Sequence, residues 1–341
     1  MSTNVSTQIQ LASRPTGWPT NENFSTVTVD LPELADGEVR VRNLFMSVDP
    51  YMRGRMSAAK SYVAPFEVGE TMTGGAVGRV VESKSPDLQE GAFVLHQQGW
   101  RDLAQGQADE FREVPEITGA PLSVYLGMLG LTGMTAYMGL TKVAGLTEGD
   151  VVFVSGAAGA VGTAVGQIAK LLGASQVIGS AGSDEKTALL TEKYGYDVAL
   201  NYKKAPIREQ LADAAPNGVD VYFDNVGGDH LEAAMDVLNR HGRAALCGAI
   251  SQYNVTDKPV GPDNMANMVK QSLMLKGFIV GDYMQYAGEF REAMSGWFAE
   301  GRIQYDETVI DGLDNAVDAF ISMMEGANKG KMIVRIDPEG K

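Results

Sequence analysis

A chain of 341 residues, 44% hydrophobic and 21% charged, has the make-up of a water-soluble globular protein with room for about two domains. Its net charge of −15 excludes nucleic acid and anionic membrane surfaces as expected partners, because both would repel it. The single cysteine, Cys247, excludes an intramolecular disulfide and fits a reducing compartment; residues 1–30 hold no apolar core of a signal peptide, so the cytoplasm is the expected location.

In chain order, short β-branched or alternating runs come first, at 8–12, 24–30, 38–47, 74–82 and 92–97. Pro32, Gly37, Pro50, Gly69 and Gly91 punctuate them, so residues 1–124 are predicted to form an antiparallel β domain with few helices. Residues 117–141 carry no charge and are long enough to span a bilayer. Pro121, five glycines and four threonines interrupt that stretch, which is therefore expected to be a buried entry to the next domain and not a membrane span.

The next stretch, 151–162, reads as strand, small-residue turn, helix. Residues 151–155 are an apolar strand, and Val161, Val165, Ile168 and Leu172 fall on one helical face. This is the context of a dinucleotide-binding fingerprint, with Ala157 where the first glycine of G-x-G-x-x-G would stand. Gly159 would let the backbone approach a pyrophosphate, Gly162 would let the helix pack on the strand, and the N–H groups of Ala160 and Val161 at the helix start would face the anion. An ordinary glycine-rich turn is the alternative.

The segments after residue 175 strengthen the nucleotide reading. Strands are predicted at 176–180, 197–200, 219–224, 243–249 and 273–280, with helices at 184–194, 207–215 and 230–239 between the first four of them. That alternation predicts an α/β fold with a doubly wound parallel sheet in the order 3-2-1-4-5-6, its ligand at the C-terminal ends of the strands. A helix at 289–300 comes next; strands at 308–310 and 331–336 and a helix at 313–325 then return to the β type. The expected division is 1–124 with 303–341 as the β-rich domain and 125–302 as the nucleotide domain, with the cleft between them as the default active site.

The residues also set two chemical expectations. One cysteine and three scattered histidines, His96, His230 and His241, do not supply the three clustered ligands of a catalytic zinc, so no metal site is expected. The second strand of the sheet runs into Ala181-Gly182-Ser183 with no acid before Asp184, while Lys186 comes within a turn and Tyr202 ends the third strand. A cation, a phenol and small residues suit the 2′-phosphate of NADP(H). The other reading keeps Lys186 as a solvated helix residue and gives the ribose to Asp184.

The motifs Ser47-Val48-Asp49-Pro50-Tyr51-Met52-Arg53, Gly133-Met134-Thr135-Ala136-Tyr137, the 156–162 turn, Asn201-Tyr202-Lys203, Phe223-Asp224-Asn225-Val226-Gly227-Gly228, the run 247–254 and Asn328-Lys329-Gly330-Lys331, in that order, span nearly the whole chain. Together they resemble the medium-chain dehydrogenase/reductase superfamily and, within it, the zinc-free alkenal/one oxidoreductases: prostaglandin, plant double-bond and curcumin reductases. The resemblance implies a Rossmann sheet inserted into a GroES-like β-rich domain. It implies cofactor contacts from Lys186, Tyr202, Asn225, Cys247, Ile250, Ser251, Tyr253, Phe278, Ile279, Val280 and Asn328, and a homodimer paired through the 273–280 sheet edge. The expected activity is NADPH-dependent reduction of the carbon–carbon double bond of small-molecule enones and enals. Hydride goes to the β-carbon, and a tyrosine hydroxyl, Tyr253 or Tyr51, steadies the enolate oxygen beside the ribose hydroxyls. A quinone reductase of the same superfamily and a non-catalytic NADP-binding structural or sensor protein are the rival readings.

Overall fold

The computed structural model describes residues 4–258 and 260–337. Those residues fall into two compact units: the described residues up to Leu126, with Glu307–Asn328 and those from Met332 on, and Gly127–Asp306 with Lys329–Lys331.

In the first unit β1 (Val5–Leu11) pairs antiparallel with β2 (Phe24–Asp30). β3 (Glu38–Ser47) leads through a short helix, α1 (Tyr51–Arg55), to β4 (Ala76–Ser83) and β5 (Phe93–His96). β6 (Leu103–Gln107) and β7 (Arg112–Glu113) add to that sheet, β6 on β3 and β7 on β5. Alternation explains its inner face: Val39, Val41, Val80, Val94, Ala104 and Phe111 bury one cluster. Each large apolar side chain so buried stabilises by roughly 1.5–3 kcal/mol. The sequence reading has no strand at β6, because Ala104-Gln105-Gly106 lacks β-branched residues; pairing with β3 overrides the weak local propensity.

The second unit opens with α2 (Leu131–Met138), which runs on into a π turn, Gly139–Ala144. Among the described residues no helix is long and apolar enough to cross a membrane. Then come β8 (Val151–Val154), α3 (Ala160–Leu171), β9 (Gln176–Ala181), α4 (Asp184–Glu192), β10 (Val198–Asn201) and α5 (Ile207–Ala214). β11 (Val219–Asp224), α6 (Asp229–Val237), β12 (Leu238–Leu246), α7 (Ala266–Lys270), β13 (Met274–Gly277) and α8 (Ala287–Ala299) complete it. The sheet runs β10-β9-β8-β11-β12-β13, all parallel in the pairs that join them. This is the doubly wound 3-2-1-4-5-6 order that the alternation predicts.

Three of the element ends that depart from the sequence reading have a visible cause. The helix predicted to 239 stops at Val237, because Leu238 turns extended and buries its side chain in the sheet core. The strand predicted at 243–249 stops at Leu246, because the amides of Cys247 and Gly248 both donate to the Asp224 carbonyl, at 2.9 and 3.0 Å, and bend the chain away. The run predicted as a strand to 280 pairs only over β13, and a 3-10 turn, Val280–Tyr286, comes after it.

The tail returns to the first unit. β14 (Glu307–Asp311) and β15 (Lys331–Arg335) complete its seven-stranded sheet, with β15 antiparallel to β3, and α9 (Ala316–Met324) lies between them in sequence. Within the tail, Lys329–Lys331 group with the second unit, where the Gly330 amide donates to the Ala158 carbonyl at 3.0 Å.

Candidate active site

The C-terminal end of β8 carries the turn. Gly156 takes the left-handed conformation, φ 60°, one residue before the position where the usual fingerprint has its first glycine. Ala157 therefore needs no special backbone, which is why an alanine is accommodated there. At Gly162 a Cβ would stand 2.5 Å from both the Ala157 Cα and the Gly156 carbonyl oxygen, so only glycine lets α3 start this close to the strand. Gly159 caps the helix through its carbonyl, which accepts from the Thr163 amide at 2.9 Å. The amides of Ala160, Val161 and Gly162 are left without intrahelical acceptors. Free N–H groups at a helix start are the chemistry that an anion needs.

Beside it lies the end of β11, the strand that pairs with β8. Asn225 donates its amide to Ser155 Oγ at 3.0 Å and its Nδ2 to the Ser155 carbonyl at 2.8 Å. The Asp224 carboxylate, 2% exposed, accepts at Oδ1 from the Tyr222 hydroxyl (2.7 Å), Gly227 N–H (2.8 Å), Val226 N–H (3.0 Å) and Ser155 Oγ (3.1 Å). Burial pushes its pKa up, and the donors pull against that shift. Sequence reasoning did not single out Asp224 or Ser155. Their signal is a polar residue closing each of two apolar strands, and it becomes meaningful only once the strands are neighbours.

The β9–α4 turn forms the second part. Ser183 caps α4 by accepting from the Lys186 amide at 3.3 Å. Tyr202 places its hydroxyl over Gly182, where a Cβ would meet it at 2.8 Å, and its ring stands edge-on to His230, centroids 5.2 Å apart. Asp184 is taken up by Lys204 at 2.7 Å and Asn201 at 2.9 Å, which hold its pKa below the usual carboxylate range. Burial lowers the Lys186 pKa first, and the charges of Lys203 and Lys329 lower it further, with Glu185 opposing. The acid is neutralised by its neighbours while positive charge gathers, a balance that fits a phosphate better than a ribose hydroxyl.

After β12 the chain folds back on the same rim. Cys247 is a free thiol whose pKa burial pushes up to about 12, with Asp224 adding to the shift, so at neutral pH it stays protonated and unreactive. Ile250 and Ser251 form a 3-10 turn, and Ser251 Oγ donates to the Val226 carbonyl at 2.6 Å. The Tyr253 hydroxyl lies over Gly248 and accepts from the Ala249 amide at 3.4 Å. Phe278 stands edge-on to Phe223 and Tyr283, each at 6.2 Å; Ile279 is the residue before the Val280–Tyr286 turn and is partly exposed.

The second unit thus brings together all the sequence-predicted cofactor residues except Asn328. Asn328 and Tyr51 belong to the first unit. Tyr51 opens α1, and burial, then the Asp49 carboxylate, pushes its pKa well above the ordinary phenol value; the Asp49 carboxylate itself accepts from Ser47 Oγ at 2.5 Å.

Two family models match: "N-terminal domain of oxidoreductase" over residues 7–114 and "Zinc-binding dehydrogenase" over residues 160–300. The NADPH-dependent curcumin reductase of Escherichia coli (strain K12) is 43% identical over 96% of this chain and 95% of its own. Prostaglandin reductase 1 of Bos taurus is 44% identical over 94% and 95%. The crystal structure of CurA from Vibrio vulnificus in complex with NADPH superposes with a TM-score of 0.91 at 44% identity, covering 97% of this chain and 99% of that one. The chain belongs to the medium-chain dehydrogenase/reductase superfamily. Within it, the chain is a member of the zinc-free alkenal/one oxidoreductase family, alongside the prostaglandin and curcumin reductases. Among the described residues, no group of three or more His, Cys, Asp or Glu could hold a metal ion.

Proposed function

We propose that this protein is an NADPH-dependent reductase of the carbon–carbon double bond of α,β-unsaturated ketones and aldehydes. The observation that carries the reading is near whole-length identity of 43–44% to enzymes named as NADPH-dependent curcumin reductase and prostaglandin reductase, and the strand–glycine turn–helix at 151–171 supports it. The second unit is the NADP-binding domain and the first is the GroES-like domain that contributes to substrate binding.

NADP(H) would be held by Gly159, Ala160, Val161 and Gly162 at its pyrophosphate and by Gly182, Lys186 and Tyr202 at its 2′-phosphate. Asn225, Cys247, Ile250, Ser251, Tyr253, Phe278, Ile279, Val280 and Asn328 serve the remainder. When bound, the cofactor supplies the hydride. The protein's task is the charge that then gathers on the substrate carbonyl oxygen. A phenol suits it: neutral at pH 7, it donates one hydrogen bond without titrating, and Tyr253, whose hydroxyl accepts from the Ala249 amide, is the first candidate. Tyr51, its hydroxyl held neutral by burial, is the second candidate donor.

The reaction needs no metal in this reading, and a single cysteine among 341 residues fits a cytoplasmic enzyme. The protein is a homodimer joined through the outer edge of β13. Supporting this, large apolar side chains are exposed on β13 and on the elements that flank it in sequence: Met274 at 41% on the strand, Val269 at 84% on α7 and Met284 at 57% in the Val280–Tyr286 turn. The deciding experiment monitors NADPH consumption with a panel of enones, enals and quinones, identifies the products, and repeats the assay after exhaustive EDTA treatment. Saturated ketones and aldehydes, formed at an undiminished rate after EDTA, are expected; turnover of quinones alone, no turnover at all, or chelator sensitivity would overturn the reading.

A further inference from the structure

Four lysines surround the β9–α4 turn, and the structure treats them differently. Lys204 is paired with Asp184 at 2.7 Å, and Lys329 is paired with Glu185. Lys186 is half-buried on the first turn of α4. Lys203 is exposed and has no ion pair among the described residues, and its side chain runs back toward the turn. Its Cε lies 3.3 Å from the point where a Cβ on Gly182 would stand, at the same spot where the Tyr202 hydroxyl arrives at 2.8 Å. The Lys203 amide donates to Asn201 Oδ1 at 3.1 Å, which fixes the turn that aims it there. Lys186 lies close enough to feel the Lys203 charge.

A lysine and a phenol converge on Gly182, and a second lysine, Lys186, feels the charge of the first; with no carboxylate on Lys203, that repulsion is uncompensated. An anion between them would offset it. We propose that Lys203 is a second phosphate-binding cation which, with Lys186 and Tyr202, recognises the 2′-phosphate of NADP(H) and discriminates against NAD(H). The inference rests on the NADPH reading above and adds a specificity residue to it. A 2′-phosphate carries close to two negative charges at neutral pH, so one lysine leaves it half compensated and two match it. Gly182 is then required for a reason besides backbone approach: any side chain there displaces both groups that reach the phosphate.

The test is binding, not turnover. Dissociation constants for NADPH, NADH, 2′,5′-ADP and 5′-AMP are measured by fluorescence titration and calorimetry on the full-length protein, for wild type, Lys203→Ala, Lys203→Arg and Lys186→Ala. Lys203→Ala should weaken NADPH and 2′,5′-ADP by about tenfold, the scale of one charge-assisted contact, and leave NADH and 5′-AMP within about twofold. Lys203→Arg should restore most of the loss, and the salt dependence of NADPH binding should flatten in the alanine variant. Unchanged NADPH affinity in Lys203→Ala, with wild type still preferring NADPH and Lys186→Ala still impaired, overturns the role of Lys203 and spares the cofactor assignment. Equal losses for NADPH and NADH also overturn it. A wild-type protein that binds NADH as well as NADPH sinks the cofactor reading and this inference with it.

Discussion

Asn225 grips Ser155 twice, amide to Oγ at 3.0 Å and Nδ2 to carbonyl at 2.8 Å. The two residues directly succeed β11 and β8, the fourth and first strands of the order, which lie side by side at the point where the sheet reverses its winding. A crevice opens at such a switch point, and ligands of doubly wound sheets bind there. The clasp fixes the floor of that crevice. Ser155→Ala leaves the part-buried Asn225 amide without its Oγ acceptor and removes one donor from the buried Asp224 carboxylate. It should cost about 1–3 kcal/mol of stability and weaken NADPH several-fold. Urea unfolding and cofactor titration check this; wild-type values for both would show that the clasp is dispensable.

How much of the fold and site is legible in the sequence depends on the range of the interactions. The parallel sheet and its order are readable from alternation, since periodicity and helix-length spacing are local signals. Tyr202 is readable as the end of a strand. The Asp224–Ser155 network is not, because it exists only where two strands far apart in sequence become neighbours. Lys203 is hidden between Tyr202 and Lys204: the sequence shows three consecutive polar residues, and only side-chain direction separates the lysine paired with Asp184 from the one folded over Gly182. The end of β12 is equally invisible, being set by two amides bonding to a carbonyl on another strand.

Acid should destabilise the protein through two histidines. Burial lowers the pKa of His96 to about 3 and of His230 to about 4, from 6.5. The unfolded chain then binds more protons than the folded one below about pH 6.5, so stability falls as pH falls, by up to about 1.4 kcal/mol per pH unit for each histidine. His96 Nδ1 accepts from the Gln98 amide at 3.1 Å, and Asn can supply that acceptor. His96→Asn should therefore flatten the loss of Tm between about pH 7 and pH 5 relative to wild type. An identical slope in the two proteins would contradict a buried neutral His96.

Cofactor choice should rest on Lys186. Lys186→Ala should weaken NADPH by about 1.5–3 kcal/mol, the scale of a hydrogen bond to a charged group, and leave NADH nearly unchanged. Asp184, engaged by Lys204 and Asn201, should tolerate replacement by Asn with little effect on either cofactor. Equal losses for both cofactors in the Lys186 variant would remove it from the phosphate site.

Assembly should depend on the β13 edge. Leu275 packs against the sheet core, so a charge there would strain the fold itself. Met274, 41% exposed on the same strand, is the better probe. In a two-fold interface a single substitution enters twice, so Met274→Asp places two charges in one contact. Wild type should sediment as a dimer at micromolar concentration and the variant as a folded monomer. A monomeric wild type would end the proposal.

The catalytic donor is tested at Tyr253. Tyr253→Phe removes one hydroxyl and keeps the ring. If that hydroxyl steadies the developing oxyanion, kcat should fall by roughly tenfold or more while NADPH affinity barely moves. The loss should be smaller than the largest known for a single oxyanion donor, because the ribose hydroxyls or Tyr51 can share the task. The hydroxyl also has a structural contact, accepting from the Ala249 amide at 3.4 Å, and at that length the bond is weak. Its removal should cost little stability, which keeps the kinetic result interpretable. Tyr253→Ala removes the ring from over Gly248 as well, so it should raise KM for NADPH where Phe does not. The two variants separate the roles: Phe tests the donor, and Ala tests donor and packing together. If Tyr253→Phe reduces enones at the wild-type rate while Tyr253→Ala loses NADPH affinity, Tyr253 covers the cofactor and the donor is elsewhere. Tyr51→Phe is then the decisive variant, since burial and Asp49 keep that hydroxyl protonated throughout the working pH range.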